Sequence, residues 1–182
     1  TLLYSHDSQS LADIITAMNK WSNNQMARSL IYTLGVSPDG AHATRARGIK
    51  VINEELDSYN IPKTALTIIN GSGLSRNVRA SGNSITQVLR AAWNDKNSSE
   101  FVSSLSIVGY DGTAAKRSLS ATSKTTMRVK TGSLDDVSAI AGYIHQGNKV
   151  FTVVCIVNSP IVNEGIGKKF ENEVLNWASR LR

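Results

Sequence analysis

Within "RVKTGSL", residues 128 to 134, Lys130-Thr131-Gly132-Ser133 places a cation, two hydroxyls and a glycine in four consecutive positions. A lysine flanked by hydroxyl donors suits a carboxylate, and a glycine lets a ligand or a second backbone approach closely. As a short string the signal is weak, and a plain surface strand end is the competing reading. A second constellation, Ser-x-Asn, supplies a hydroxyl and an amide and occurs four times: Ser22-Asn24, Ser58-Asn60, Ser75-Asn77 and Ser81-Asn83. Only context separates them. Ser22-Asn23-Asn24 stands where two amphipathic helices meet, a place that can hold two polar side chains at the edge of a core. An N-cap pair for the second helix remains the open alternative there. Ser58 and Asn60 lie in a polar helix end before Pro62.

Other chemistries find less support. Cys155 is the lone cysteine, which excludes an internal disulfide, and within "FTVVCIVN" it reads as a small buried hydrophobe rather than a catalytic thiol. His6, His42 and His145 are far apart without ligand spacing, so neither a metal nor an organic cofactor is called for. A net charge of +6 could suit an anionic polymer, but the basic residues are scattered and aromatics make up 6% of the chain, which argues against nucleic acid.

These residues must be held by elements, and 182 residues with 41% hydrophobic and 19% charged composition can build one globular unit with a core. Ser10 followed by Leu11, Ile14, Ile15 and Met18 predicts a helix over 10–20. Met26, Leu30 and Leu34 predict a second one closed at Gly35, and "VSPDG" a turn. Ile49, Ile52, Leu56 and Tyr59 give a third helix, ending near Ile61-Pro62. "ALTIINGSGLSR" reads as a short strand stopped by Gly71-Ser72-Gly73, where a tight backbone path is expected. Ile85, Val88, Leu89, Ala92 and Trp93 form another helical face after Ser84, Phe101 to Ile107 a further short helix, and "GYDGT" a turn. From Thr126 the period switches to strand: "TMRVKTGS", Val137 to His145 and Lys149 to Asn158, with Gln146-Gly147-Asn148 as the hairpin loop. Gly165 to Arg182 reads as a helix packing on that sheet. The whole is one α/β (α+β) unit, with a helical lobe over about 1–122 and strands plus a last helix over about 123–182. Its most apolar stretch, Phe151 to Val157, is far shorter than the roughly 18 residues of a membrane span. "TLLYSHDSQS" lacks the features of a signal peptide, so the chain reads as mature or excised material.

Four stretches, Ser22-Asn23-Asn24, "NGSGLSR" at 70–76, "LSIVGYDGT" at 105–113 and "RVKTGSL" at 128–134, resemble in order and spacing the class C low-molecular-mass penicillin-binding proteins. These are periplasmic D-alanyl-D-alanine carboxypeptidases and endopeptidases of the serine peptidase S13 type. The resemblance implies the C-terminal part of a β-lactamase/transpeptidase-like fold, with a penicillin-recognising acyl-transferase whose motifs are Ser-x-x-Lys, Ser-x-Asn and Lys-Thr-Gly. The second and third motifs are present. No lysine here has a serine three positions before it, so the nucleophile motif is absent and the chain alone is expected to be inactive. Asn70 and Asn23 stand where the family often has aspartate. The first weakens any charge-based role at position 70, while the second falls at a variable position.

By this resemblance Ser22 relays a proton, Asn24 holds the substrate amide, and Lys130 supplies positive potential to the terminal carboxylate of D-Ala-D-Ala. Thr131 and Ser133 bond that carboxylate beside Gly132, and the Ser133 N–H lends one oxyanion donor. Gly71 to Gly73 and Asp111-Gly112 are expected to shape turns rather than to bind. The implied partners are peptidoglycan stem peptides, β-lactams and an N-terminal segment carrying Ser-x-x-Lys. The rival readings are a peptidoglycan or anionic-polymer binding module without turnover, and a β-lactamase relative.

Overall fold

The computed structural model describes residues 3–37, 42–62, 64, 66–117, 119 and 127–181. The centre of the "VSPDG" turn and Thr126, where the strand period was expected to begin, lie outside them.

The N-terminal half is helical. α1 (Leu11–Trp21) begins at Ser10, whose hydroxyl accepts the N–H of Asp13 at 3.2 Å, the N-cap bond that satisfies one of the helix's orphan donors. It ends at Ser22, and α2 (Asn24–Leu34) starts two residues later, closed at Gly35. α3 (Arg45–Ser58) lies across α2 so closely that a Cβ on Gly48 would stand 1.9 Å from the carbonyl oxygen of Ile31. Two short strands, β1 (Leu66–Thr67) and β2 (Arg79–Ala80), pair with each other around the "NGSGLSR" loop. α4 (Gly82–Asn94) opens on a reciprocal capping box between Ser81 and Ser84.

The main sheet is antiparallel in the order β3-β4-β5-β6. It comprises β3 (Ser106–Ile107), β4 (Met127–Leu134), β5 (Val137–Gln146) and β6 (Lys149–Asn158). Its side chains alternate with period two. Met127, Val129, Ile140, Ile144, Val153 and Cys155 bury against Leu175 and Ala178 of α6 (Ile166–Ala178). On the opposite face Tyr143 packs with Leu89 of α4 and Val102 of α5 (Ser98–Ser104), and its hydroxyl donates to the Leu89 carbonyl at 2.6 Å. Burial pushes the Tyr143 phenol up to about 12. Helices therefore cover both faces of the sheet.

Two expectations are corrected. The helix expected over Phe101 to Ile107 stops at Ser104, because Ser106 and Ile107 are drawn into the sheet opposite Val129 and Arg128. The hairpin loop is two residues, Gly147-Asn148, since Gln146 pairs with Lys149, and Gly147 takes the turn at φ 56°.

Candidate active site

Ser22 closes α1 in the left-handed region, φ 52° and ψ 46°, a conformation that costs a non-glycine residue about 1–2 kcal/mol. The N–H of Asn23 donates to the Met18 carbonyl at 3.0 Å and holds this reversal, which turns the Ser22 side chain out of the helix end. The cap of α2 is Asn23, whose Oδ1 accepts the N–H of Met26 at 3.0 Å. The N-cap duty thus falls on the middle residue of the motif, leaving Ser22 and Asn24 for other work.

Ser22 meets the sheet. The Lys130 ammonium donates to Ser22 Oγ in a very short contact between residues 108 positions apart, and to the Thr131 carbonyl at 2.9 Å. Both acceptors are neutral, and burial lowers the Lys130 pKa, so the cation is partly stripped of water, with no carboxylate paired to it among the described residues. Asn24 lies exposed on the first turn of α2, its side chain without a hydrogen-bond partner among the described residues.

β3 pairs with Arg128 and Val129, so among the described residues β4 has no strand neighbour on that side from Lys130 onward. The Met127 carbonyl accepts from Val108 on the β3 side at 3.0 Å. Alternate residues of a strand turn their backbone groups to the same side, so Val129, Thr131 and Ser133 also face it. The N–H of Ser133 therefore points from an open edge, and Thr131 Oγ1 there donates to Thr113 Oγ1 at 2.8 Å. Gly132 is exposed, and a Cβ on it would meet Ala139 at an ordinary 3.7 Å, so internal packing does not demand the glycine. Ser133 Oγ reaches Asn163 Oδ1 at 3.4 Å.

Supports surround this edge. Asn163 donates to the carbonyls of Leu134 and Asp135 at 2.7 and 2.6 Å, which fixes the turn after Ser133. Arg76 of "NGSGLSR" reaches the same turn from the other side, pairing closely with Asp136 and holding its carboxyl below the usual range. Asn70 braces its loop with both ends of its amide, accepting from Ser72 N–H and donating to the Leu74 carbonyl at 3.2 Å each, a double role that no carboxylate could fill. Gly71 adopts φ 75°, where a Cβ would stand 2.8 Å from the Ala27 carbonyl oxygen, so this loop lies on α2.

The other Ser-x-Asn pairs are spent locally. Ser58 Oγ donates back to the Glu55 carbonyl at 2.7 Å, Ser75 Oγ accepts from Asn77 N–H at 3.3 Å, and Ser81 caps α4. Sequence reasoning passed over Lys20, Thr113 and Asn163. Asp111-Gly112 is indeed a turn, but one whose carboxylate pairs with Lys20 at 2.5 Å. A carboxylate and glycine between an aromatic and a threonine in "GYDGT" was the available signal. Cys155 is buried, and burial pushes its thiol pKa up, which keeps it protonated. Among the described residues no cluster of His, Cys, Asp and Glu could hold a metal ion, and no helix is long and apolar enough to cross a membrane.

The profile of the D-Ala-D-Ala carboxypeptidase 3 (S13) family matches residues 1–181. This chain belongs to the S13 family. It is 28% identical over 160 residues to a D-alanyl-D-alanine carboxypeptidase of Actinomadura sp. (strain R39), which covers 84% of this chain and 30% of that one. It is 29% identical over 153 residues to the D-alanyl-D-alanine carboxypeptidase DacB of Haemophilus influenzae, 82% of this chain and 32% of that one. The chain thus spans about a third of the length of the curated relatives it matches. The fold is that of penicillin binding protein 4 (dacB) from H. influenzae complexed with a β-lactam, at TM-score 0.84 and 22% identity, covering 99% of this chain and 46% of that one. A predatory endopeptidase from Bdellovibrio bacteriovorus, in complex with an immunity protein, follows at TM-score 0.77 and 18% identity, with 97% and 47% covered.

Proposed function

We propose that the protein to which this chain belongs is a periplasmic serine-type D-Ala-D-Ala carboxypeptidase or endopeptidase. It cleaves peptidoglycan stem peptides and is acylated by β-lactams, and these 182 residues supply part of its active site. The observation that carries the reading is the Lys130–Ser22 contact, which joins the Lys-Thr-Gly and Ser-x-Asn motifs across 108 positions. The similarity to D-alanyl-D-alanine carboxypeptidases and the β-lactam complex of a protein with the same fold support it.

Acyl transfer to a serine needs a proton acceptor, a path for that proton to the leaving amine, an oxyanion site and a substrate anchor. The nucleophile and its lysine come from a Ser-x-x-Lys segment outside these residues, since no lysine here has a serine three positions earlier. Ser22 accepts from Lys130 and keeps its own O–H to pass on, so it relays the nucleophile's proton towards the leaving amine. Lys130, short of water and of an anion, attracts the terminal carboxylate of D-Ala-D-Ala, which the Thr131 and Ser133 hydroxyls bond beside the open face at Gly132. The Ser133 N–H, pointing from the open edge, is one oxyanion donor, and Asn24 holds the substrate amide. No step calls for a cofactor.

Labelling with a fluorescent penicillin tests this. The protein including its Ser-x-x-Lys segment is expected to form a stable covalent adduct that removal of that serine abolishes, while these 182 residues alone form none. An adduct on the isolated chain would overturn the assignment of the nucleophile, and no adduct on the longer protein would leave binding without turnover as the reading.

A further inference from the structure

We infer that the partly buried Lys20–Asp111 ion pair positions the two halves of the site, holding Ser22 and Thr131 in the register that acyl transfer requires. The inference rests on the acyl-transfer reading. Lys20 lies in the last turn of α1, two residues before Ser22. Its ammonium meets Asp111 Oδ2 at 2.5 Å and donates to the Leu105 carbonyl at 3.1 Å, with the side chains 17% and 27% exposed. The other oxygen, Asp111 Oδ1, accepts the N–H of Ile107 at 2.7 Å, so one carboxylate ties the end of α1 to β3. Two residues after Asp111 comes Thr113, whose hydroxyl accepts from Thr131 on β4. The pair is therefore two residues along the chain from Ser22 on one side and two residues from Thr113, the partner of Thr131, on the other.

The backbone repeats the constraint. Gly112, at φ 56°, lies against α1 so tightly that a Cβ would stand 2.6 Å from the Lys20 carbonyl oxygen and 2.3 Å from Ser106 Oγ. Ser106 Oγ in turn donates to that same Lys20 oxygen at 3.4 Å. A partly buried ion pair adds little net stability over an apolar substitute, because desolvation offsets most of its attraction. What such a pair does supply is a fixed distance between two elements. Proton relay demands that, since a displacement near 1 Å at reacting groups can cost about a hundredfold in rate.

The test is acylation by a fluorescent penicillin in the protein carrying its Ser-x-x-Lys segment, comparing wild type, the double variant Lys20→Met/Asp111→Asn, and Lys20→Arg. The double variant removes both charges together and leaves no buried charge unpaired. Its acylation rate constant at saturating penicillin should fall at least about tenfold with the half-saturating concentration changed less than about threefold, and Lys20→Arg should recover most of the rate. A double variant that melts like wild type and acylates at the wild-type rate overturns the inference, as does a loss that merely follows the unfolded fraction. If the double variant does not fold, Asp111→Asn alone, which keeps the acceptor for Ile107, is judged by the same criteria. A wild-type protein that forms no adduct rejects the acyl-transfer reading itself, whereas a labelled wild type with an unimpaired variant rejects only the positioning role.

Discussion

Lys130 carries its charge among neutral oxygens, and burial lowers its pKa below the ordinary lysine value of 10.5. A folded-state pKa below the unfolded one means that the native state disfavours the charged form. The lysine's most favourable contribution is then present above the unfolded pKa and is lost as pH falls through the folded one. At neutral pH it is a net cost, kept for what the cation does. Lys130→Met is therefore expected to raise the melting midpoint at pH 7 by roughly 2 °C, with the gain shrinking as pH approaches about 10.5. Thermal melts of both proteins between these pH values check it, and a lower midpoint for the variant at pH 7 would contradict the assigned cost. The sequence offered Lys130-Thr131-Gly132-Ser133 as a chemical group at this scale. Context and resemblance singled out Ser22 among the four Ser-x-Asn strings, but its contact with Lys130 came only from the folded chain, in which the other three serines are turned back on their own loops and helices.

Helices here were legible wherever a periodic apolar face met a cap: Ser10 before Leu11, and Gly35 after Leu34. The two-residue strand Ser106–Ile107 was not, since two residues carry no period and their extended shape comes from pairing with β4. Element contacts also place demands on single residues that no string reveals. Ile31 of α2 packs under Gly48 of α3 and under Gly71 of the "NGSGLSR" loop at once. Gly48→Ala is expected to push α3 away from α2 and to cost about 1–3 kcal/mol, as overpacking does, despite alanine's better helix propensity. A urea titration measures it, with unchanged or increased stability as the contrary result.

At the scale of the whole molecule, the buried charge of Glu171 joins two elements and the segment that carries Arg117. Glu171 of α6 is fully buried, accepts from Ser138 of β5 at 2.6 Å, and meets Arg117 at 2.6 Å in a close charge contact whose angles fall outside hydrogen-bond geometry. Ser138 stands opposite Ser133 in the β4–β5 ladder, so this cluster lies behind the proposed substrate edge. Glu171→Ala would leave Arg117, only 9% exposed, without its anion, and is expected to destabilise the fold by about 3–5 kcal/mol. Denaturant unfolding reads that loss, and a change below about 1 kcal/mol would mean that water or another acceptor replaces the carboxylate.

By itself the sequence determined the local order: amphipathic helices first, alternating strands later, a hairpin turning at Gly147 whose exact length it missed by one residue, and a cation with hydroxyls on a strand. Each follows from interactions within a few residues, and period and capping chemistry record those directly. Tertiary structure alone decided that Ser22 is the hydroxyl Lys130 meets, that β4 is open from Lys130 onward among the described residues, and that Lys20 pairs with Asp111 while Arg117 pairs with Glu171. These contacts join residues between 54 and 108 positions apart, set by how layers close on one another, and no repeat or spacing along the chain encodes that closure.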